Sequence, residues 1–217
     1  MTSEEDLIDR LSRKAAPIRP NRLRSILALQ VLALSATLMM AAFWPGLRAD
    51  LAAGAPAGQL VARELILGIA ALCFMVGAAR EGFPASWSPV PIRIGLGVLM
   101  FLPVMALVSL AGQDSGDPIR ADAFAELRAW HHCFVSASVL ALPSVAAQVW
   151  WIRTRGTSTA PRRAAGSIGL AAAGTGMLAY GLTCPSTHWL YAGTVYPLVI
   201  LAVVTSARAG LAGILRW

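Results

Sequence analysis

Trp130 to Arg163 reads WHHCFVSASVLALPSVAAQVWWIRTRGTSTAPRR. Up to Ile152 it contains no Asp, Glu, Lys or Arg; Arg153, Arg155, Arg162 and Arg163 then follow close together. An uncharged apolar run of this kind is long enough for the ~20 residues a helix needs to cross a ~30 Å hydrocarbon layer. Closed by an arginine cluster, it has the pattern of a transmembrane helix meeting a membrane surface. Five other stretches repeat the pattern: Ser25–Trp44, Leu65–Ala79 (extendable back to Leu60 across Arg63 and Glu64), Ile94–Ala111, Ala164–Leu182 and Trp189–Ser206. The expected fold class is therefore all-α, a polytopic membrane protein of six transmembrane helices.

The basic residues give the orientation. All but one of the eighteen are Arg, and fourteen fall in alternate gaps: before Ser25, in the second and fourth gaps, and after the last span. The other side has only Arg48, Arg63, Arg120 and Arg128. Cytoplasmic segments carry the Lys and Arg excess, so both termini are expected in the cytoplasm of a bacterial inner-membrane protein. The segment after Gly112, with Asp114, Asp117, Asp122 and Glu126, is expected outside.

Composition agrees. With 57% hydrophobic and 13% charged residues, a soluble domain of this size would be left with large exposed apolar patches. The net charge of +7 does not call for nucleic acid, because its sided distribution follows from topology and contact with anionic headgroups. Nor does the N-terminus read as a cleaved leader, since Glu4, Glu5, Asp6 and Asp9 precede the first span.

Residues 1–24 form a cytoplasmic tail, and 25–217 the membrane domain. In the tail, Ser3 and Asp6 make a capping-box-like start, and Leu7, Ile8, Leu11 and Ala15 then share a face at helical spacing up to Pro17. So short a helix is marginal alone in water, and its apolar face needs a surface. Periodicity supports two equally: a groove on a partner protein, or the lipid headgroups with Arg10, Arg13 and Lys14 at the phosphates.

Within the spans, Ala165, Gly169 and Ala173 recur every four residues in the fifth, the arrangement of a helix packed closely at a bundle centre. Pro103, Pro143 and Pro197 each remove a backbone hydrogen bond, so kinks are expected. Trp44, Trp130, Trp150, Trp151 and Trp189 lie near span ends, where aromatic rings anchor at the interface. Transporters and pumps usually need intramembrane charges, and the nearest are Arg63 and Glu64, read as an interfacial salt bridge.

Threading six spans puts Cys133 and Cys184 at one level on the outer side, with His131, His132 and His188 in the same layer. Two thiols at one level could form a disulfide, could bind a soft metal ion with histidine help, or could be unrelated. Cys73, among Leu72, Phe74 and Met75, reads as a small apolar residue. No CxxC, HExxH or GxSxG motif occurs, and no resident cofactor is expected.

Several of these features together resemble a known family: Asp6-Leu7-Ile8-Asp9-Arg10-Leu11 running to Pro17 and Pro20, a lone Cys133 opening span four, Pro161-Arg162-Arg163-Ala164-Ala165-Gly166 leading to Tyr180-Gly181-Leu182-Thr183-Cys184-Pro185, and the ending Gly213-Ile214-Leu215-Arg216-Trp217. They are similar to the NrsF-like family, six-span inner-membrane anti-sigma factors for extracytoplasmic-function sigma factors. The chain departs from that pattern at Ser186, where an acidic residue is expected, and at Val195-Tyr196, where a Trp-Tyr pair is. The resemblance implies a regulator, not an enzyme. Its tail would hold a sigma factor through Leu7, Ile8 and Leu11, and Cys133 and Cys184 would report redox or heavy-metal stress, with His131, His132 and His188 as candidate extra ligands. A soft or borderline metal ion would then be a signal, and lipid the other partner, with no direct contact to nucleic acid. Two other classes compete, a membrane thiol-disulfide oxidoreductase using the same two cysteines and a small-solute transporter.

Overall fold

A computed structural model describes residues 20–54, 57–83, 88–112, 130–155, 160–184, 186 and 188–215. The amphipathic stripe Leu7, Ile8 and Leu11 lies outside the described residues. Among those described, all regular structure is helical.

Helix α1 spans Pro20–Ala41 and continues into a π-helical turn, Ala42–Gly46. It starts five residues before the uncharged run at Ser25, inside the segment assigned to the tail. Proline suits a first turn because its missing N–H would be unpaired there anyway. The turn ends at Gly46, whose φ of 81° lies in the left-handed region that glycine adopts without steric cost. A short α2 (Ala49–Ala52) precedes α3 (Gly58–Glu81).

The third apolar stretch is divided into α4 (Val90–Leu99) and α5 (Phe101–Ala111). Pro103 cannot donate to the Leu99 carbonyl, which interrupts the helical hydrogen bonding at Met100. Met100 keeps right-handed helical angles, φ −65° and ψ −14°, so the two pieces follow each other as one apolar rod. Helices α6 (Trp130–Arg155) and α8 (Trp189–Ile214) run on through Pro143 and Pro197 without a break, and α7 (Pro161–Gly181) lies between them in sequence.

Among the described residues, five helices have the length and apolar composition to cross a membrane: 24–44, 58–81, 90–111, 130–154 and 189–214. The chain is thus an all-helical protein of membrane type. Gly, Ser and Thr dilute the hydropathy of α7, which is instead the most enclosed element: from Ala164 to Gly181 all but Leu170 and Leu178 are buried. It is packed by α3, α6 and α8, while α5 lies on α8, α4 on α3 and α1 on α6.

Its small residues allow this closeness. A Cβ on Gly174 would stand 3.1 Å from the Ala71 Cα of α3, and one on Gly169 would stand 3.0 Å from the Val204 Cα of α8. Where lipid is as apolar as the side chains, such close backbone contact drives helix association.

Two buried apolar clusters fill the interior. The larger holds Phe74, Leu102, Leu140, Met177 and Tyr196; the smaller, at the other end, holds Ile26, Phe83, Trp151, Ile168 and Leu215. Trp151 is not an interfacial anchor. It is 1% exposed, with its ring 5.5 Å from that of Phe83. Trp150, one helical step round, is 53% exposed, as Trp130 and Trp44 also are by half or more.

Candidate functional site

Helix α3 carries charge at both ends, and both charges meet α7. At one end the Glu81 carboxylate, fully buried, accepts from Arg163 Nε at 3.1 Å and from Ser167 Oγ at 3.0 Å. At the other end Arg63, 2% exposed, reaches across to the connection between α7 and α8. Its Nη2 donates to the Gly181 carbonyl and its Nη1 to the Ser186 carbonyl, each at 2.8 Å, while Nε pairs with Glu64 Oε1 at 3.1 Å. The guanidinium also lies 5.5 Å from the centre of the Tyr196 ring. Arg63 thereby satisfies a last-turn carbonyl of α7 and places positive charge at the negative end of that helix's dipole.

The Arg63–Glu64 salt bridge expected from the sequence is present, but it is enclosed in the bundle. Glu64 Oε2 is buried without a hydrogen-bond partner among the described residues, and it lies against Gly181, where any side chain would collide with the carboxylate.

A second arginine holds the same connection. Arg48 donates from Nη1 to the Cys184 carbonyl at 2.8 Å and to the Ser186 carbonyl at 3.4 Å, and its own N–H reaches the Leu182 carbonyl at 3.3 Å. Its remaining donors, Nε and Nη2, form a fork on Asp50 at 2.9 Å each. The Arg48 hydrogen bond holds the Asp50 carboxyl well below the ordinary range, at about 2, and the same contact raises Arg48.

Beneath this clasp lie the two thiols. Cys133 on the first turn of α6 and Cys184 just after α7 are both buried and both reduced. Tyr180 of α7 and Tyr191 and Tyr196 of α8 belong to the same buried cluster as both cysteines. Tyr191 and Tyr196 meet edge to face, with centroids 6.3 Å apart. The Tyr196 hydroxyl is buried with no hydrogen-bond partner among the described residues. The structure thus brings Cys133 and Cys184 into one buried cluster with three tyrosines and leaves out Cys73, which is half-buried and packs beside Gly95.

The histidines lie around this cluster at its edge. His131 and His132 are exposed, with rings 4.1 Å apart, and His188 is half-buried at the start of α8. Among the described residues no three His, Cys, Asp or Glu side chains group as a metal ion would require. The chemistry available is that of two thiols: two-electron oxidation to a disulfide, or exchange of their protons for a soft cation of low coordination number.

Arg48, Tyr180, Tyr191, Tyr196 and the receiving carbonyls of Gly181, Cys184 and Ser186 were not recognisable as a group from local pattern. One signal was available: the chain has three tyrosines, and all of them lie between residues 180 and 196, beside Cys184.

No curated protein and no solved structure matches the chain. The family model NrsF, described as negative regulator of sigma F, matches residues 11–217. With nearly the whole length matched, the chain belongs to the NrsF family of negative regulators of a sigma factor.

Proposed function

We propose that this protein is an inner-membrane anti-sigma factor for an extracytoplasmic-function sigma factor. It crosses the membrane six times, the enclosed α7 being the fifth span, with both termini in the cytoplasm. Its tail, residues 1–24, sequesters the sigma factor by laying Leu7, Ile8 and Leu11 into a groove. The extracytoplasmic Cys133 and Cys184 sense heavy metal or oxidant. Either the two thiols give up two electrons and two protons to an external oxidant and join, or a soft cation displaces their protons. The observation that carries the sensing half is the enclosure of these two cysteines, and not Cys73, in one buried cluster with Tyr180.

A stimulus can shift the protein only by its different affinity for two arrangements. Joining the sulfurs pulls α6 toward the α7–α8 connection, which Arg48 and Arg63 hold in place, so the strain is passed to α6 and α8. The test is sigma-dependent transcription with and without metal or oxidant in Cys133→Ser, Cys184→Ser and Cys73→Ser. The first two are expected to alter induction and the third to behave as wild type. Normal induction in all three, or a change in Cys73→Ser alone, would leave the cluster with a structural role only. Reporter fusions at both termini and at Gly116 test the orientation, with the termini expected inside and Gly116 outside.

A further inference from the structure

One face of α8 changes character along its length. At about 100° per residue, Thr194, Leu198, Ala202, Thr205 and Ala209 fall within about 80° of one another. The upper part of this stripe, from Thr194 to Ala202, faces Trp130 and Phe134 of α6 across an apolar cleft of about 520 Å³. The lower part, Thr205 and Ala209, lines a second cleft of about 540 Å³ with Arg162, Arg163 and Arg208. At 1.5 Å per residue the stripe is about 22 Å long, more than the ~15 Å of one leaflet's hydrocarbon.

The charge at the lower end is not used internally. Arg163 is paired with Glu81, but Arg162 and Arg208 are exposed and have no acidic partner among the described residues. Arg208 is held against the first turns of α7: a Cβ on Gly166 would stand 2.6 Å from its Nε. Two guanidinium groups therefore flank an open cleft, and about one helical turn along the same face of α8, from Thr205 to Ala202, the apolar cleft begins; Leu198 within it and Leu201 beside it are exposed by 60% or more. A cationic head site joined to an apolar channel is complementary to an anionic amphiphile.

We propose that this stripe binds an anionic phospholipid, its phosphate between Arg162 and Arg208 and one acyl chain along Leu198 and Ala202. The proposal does not rest on the sensing role of the cysteines or on which compartment the Glu81 end faces. Forks of N–H donors suit phosphate oxygens, and the apolar continuation selects a lipid over a free anion.

The full chain, purified in neutral detergent, is offered phosphatidylglycerol, phosphatidylcholine of the same chains, dihexanoyl phosphatidylglycerol, or inorganic phosphate, and bound lipid is read by native mass spectrometry. Wild type is expected to retain phosphatidylglycerol over phosphatidylcholine by roughly tenfold. R162Q/R208Q is expected to lose that preference and R162K/R208K to keep it. A202F is expected to lose the long-chain lipids while still holding the dihexanoyl form. Equal retention of the two long-chain lipids by wild type, or an undiminished preference in R162Q/R208Q, overturns the proposal. So does displacement of phosphatidylglycerol by inorganic phosphate alone. Relief of sigma repression in R162Q/R208Q with lipid retention intact would assign the cleft to the sigma factor instead. If R162Q/R208Q does not fold, A202F decides: unchanged long-chain retention there also overturns the proposal.

Discussion

Arg63 and Glu81 stand at opposite ends of α3, and each ties that helix to α7, Arg63 through the Gly181 carbonyl at 2.8 Å and Glu81 through Arg163 at 3.1 Å. At 1.5 Å per residue the two are about 27 Å apart, close to the ~30 Å of a hydrocarbon layer. Between them Gly174 lies against Ala71 and Gly68 against Leu178. The polar ties flank the apolar layer and fix the sliding register of α3 on α7, which packing of Gly174 against Ala71 alone would define poorly.

The Arg63 tie can be tested by single and double substitutions. Arg63→Leu leaves Glu64 buried without its partner, takes the Arg63 donor from the Gly181 carbonyl and leaves the Ser186 carbonyl only the longer Arg48 contact, so it should cost about 3–5 kcal/mol. Arg63→Leu with Glu64→Leu should cost less than Arg63→Leu alone, because the stranded charge is removed with its partner. Arg63→Lys should recover only part of the loss, since a point charge cannot serve two carbonyls and a carboxylate with a fixed fork. Unfolding of the detergent-solubilised protein measures all three, and an Arg63→Leu variant within about 1 kcal/mol of wild type would show that the clasp is not stabilising.

A second prediction concerns the contact beneath the thiols. A Cβ on Gly176 would stand 2.5 Å from the Ala137 carbonyl and 3.1 Å from the Ala141 nitrogen. One turn along each helix from Gly176 and Ala137 lie Tyr180 and Cys133. Gly176→Ala should therefore push α6 from α7, cost about 1–3 kcal/mol, and raise the rate at which a thiol reagent labels Cys133 several-fold. Gly97→Ala, with nothing within 4 Å of its Cβ, is the control and should label as wild type. Equal labelling in the two variants would mean that α6 absorbs the clash without moving the site.

The helices were legible because each depends on its own composition: an uncharged run such as Trp130 to Ile152 must be buried or in lipid whatever surrounds it. Span five was legible as the bundle centre for the same reason, since Ala165, Gly169 and Ala173 leave no bulk to hold neighbours away. Partnerships were less so. Arg63 finds its acceptors 118 and 123 residues away, and they are backbone carbonyls, which carry no residue type to read. Trp150 and Trp151 are adjacent in sequence, yet a step of about 100° round the helix turns one outward and the other into the core beside Phe83. Position near a span end is common to both and could not separate them.

A third prediction follows from Asp50, whose carboxyl is held at about 2 by Arg48. Its ordinary value is about 4. A depressed native value stabilises the fold above the ordinary value and loses that effect as pH falls through the depressed one. The Tm of wild type should accordingly exceed that of Asp50→Asn at neutral pH, and the gap should close between about pH 4 and about pH 2. A gap that stays constant over this range would show that Asp50 acts through shape and not through charge on Arg48.

The tail gives the last prediction, and it concerns the output. At helical spacing Leu7, Ile8 and Leu11 would share one apolar face on a segment too short to bury it by itself, and the sigma factor is proposed to cover it. Leu7→Asp or Leu11→Asp puts an unpaired carboxylate into that contact, at a cost of about 2–4 kcal/mol, so sigma-dependent transcription should rise at least tenfold without stress. Membrane insertion should not change, because both positions precede α1. Arg10→Gln separates the competing use of the tail: it weakens attachment to anionic headgroups but leaves the apolar face intact, and should keep repression. Unaltered repression in both Asp variants at normal protein levels, or loss of repression in Arg10→Gln with loss of membrane contact by the tail, would place the sigma-binding surface elsewhere in the chain.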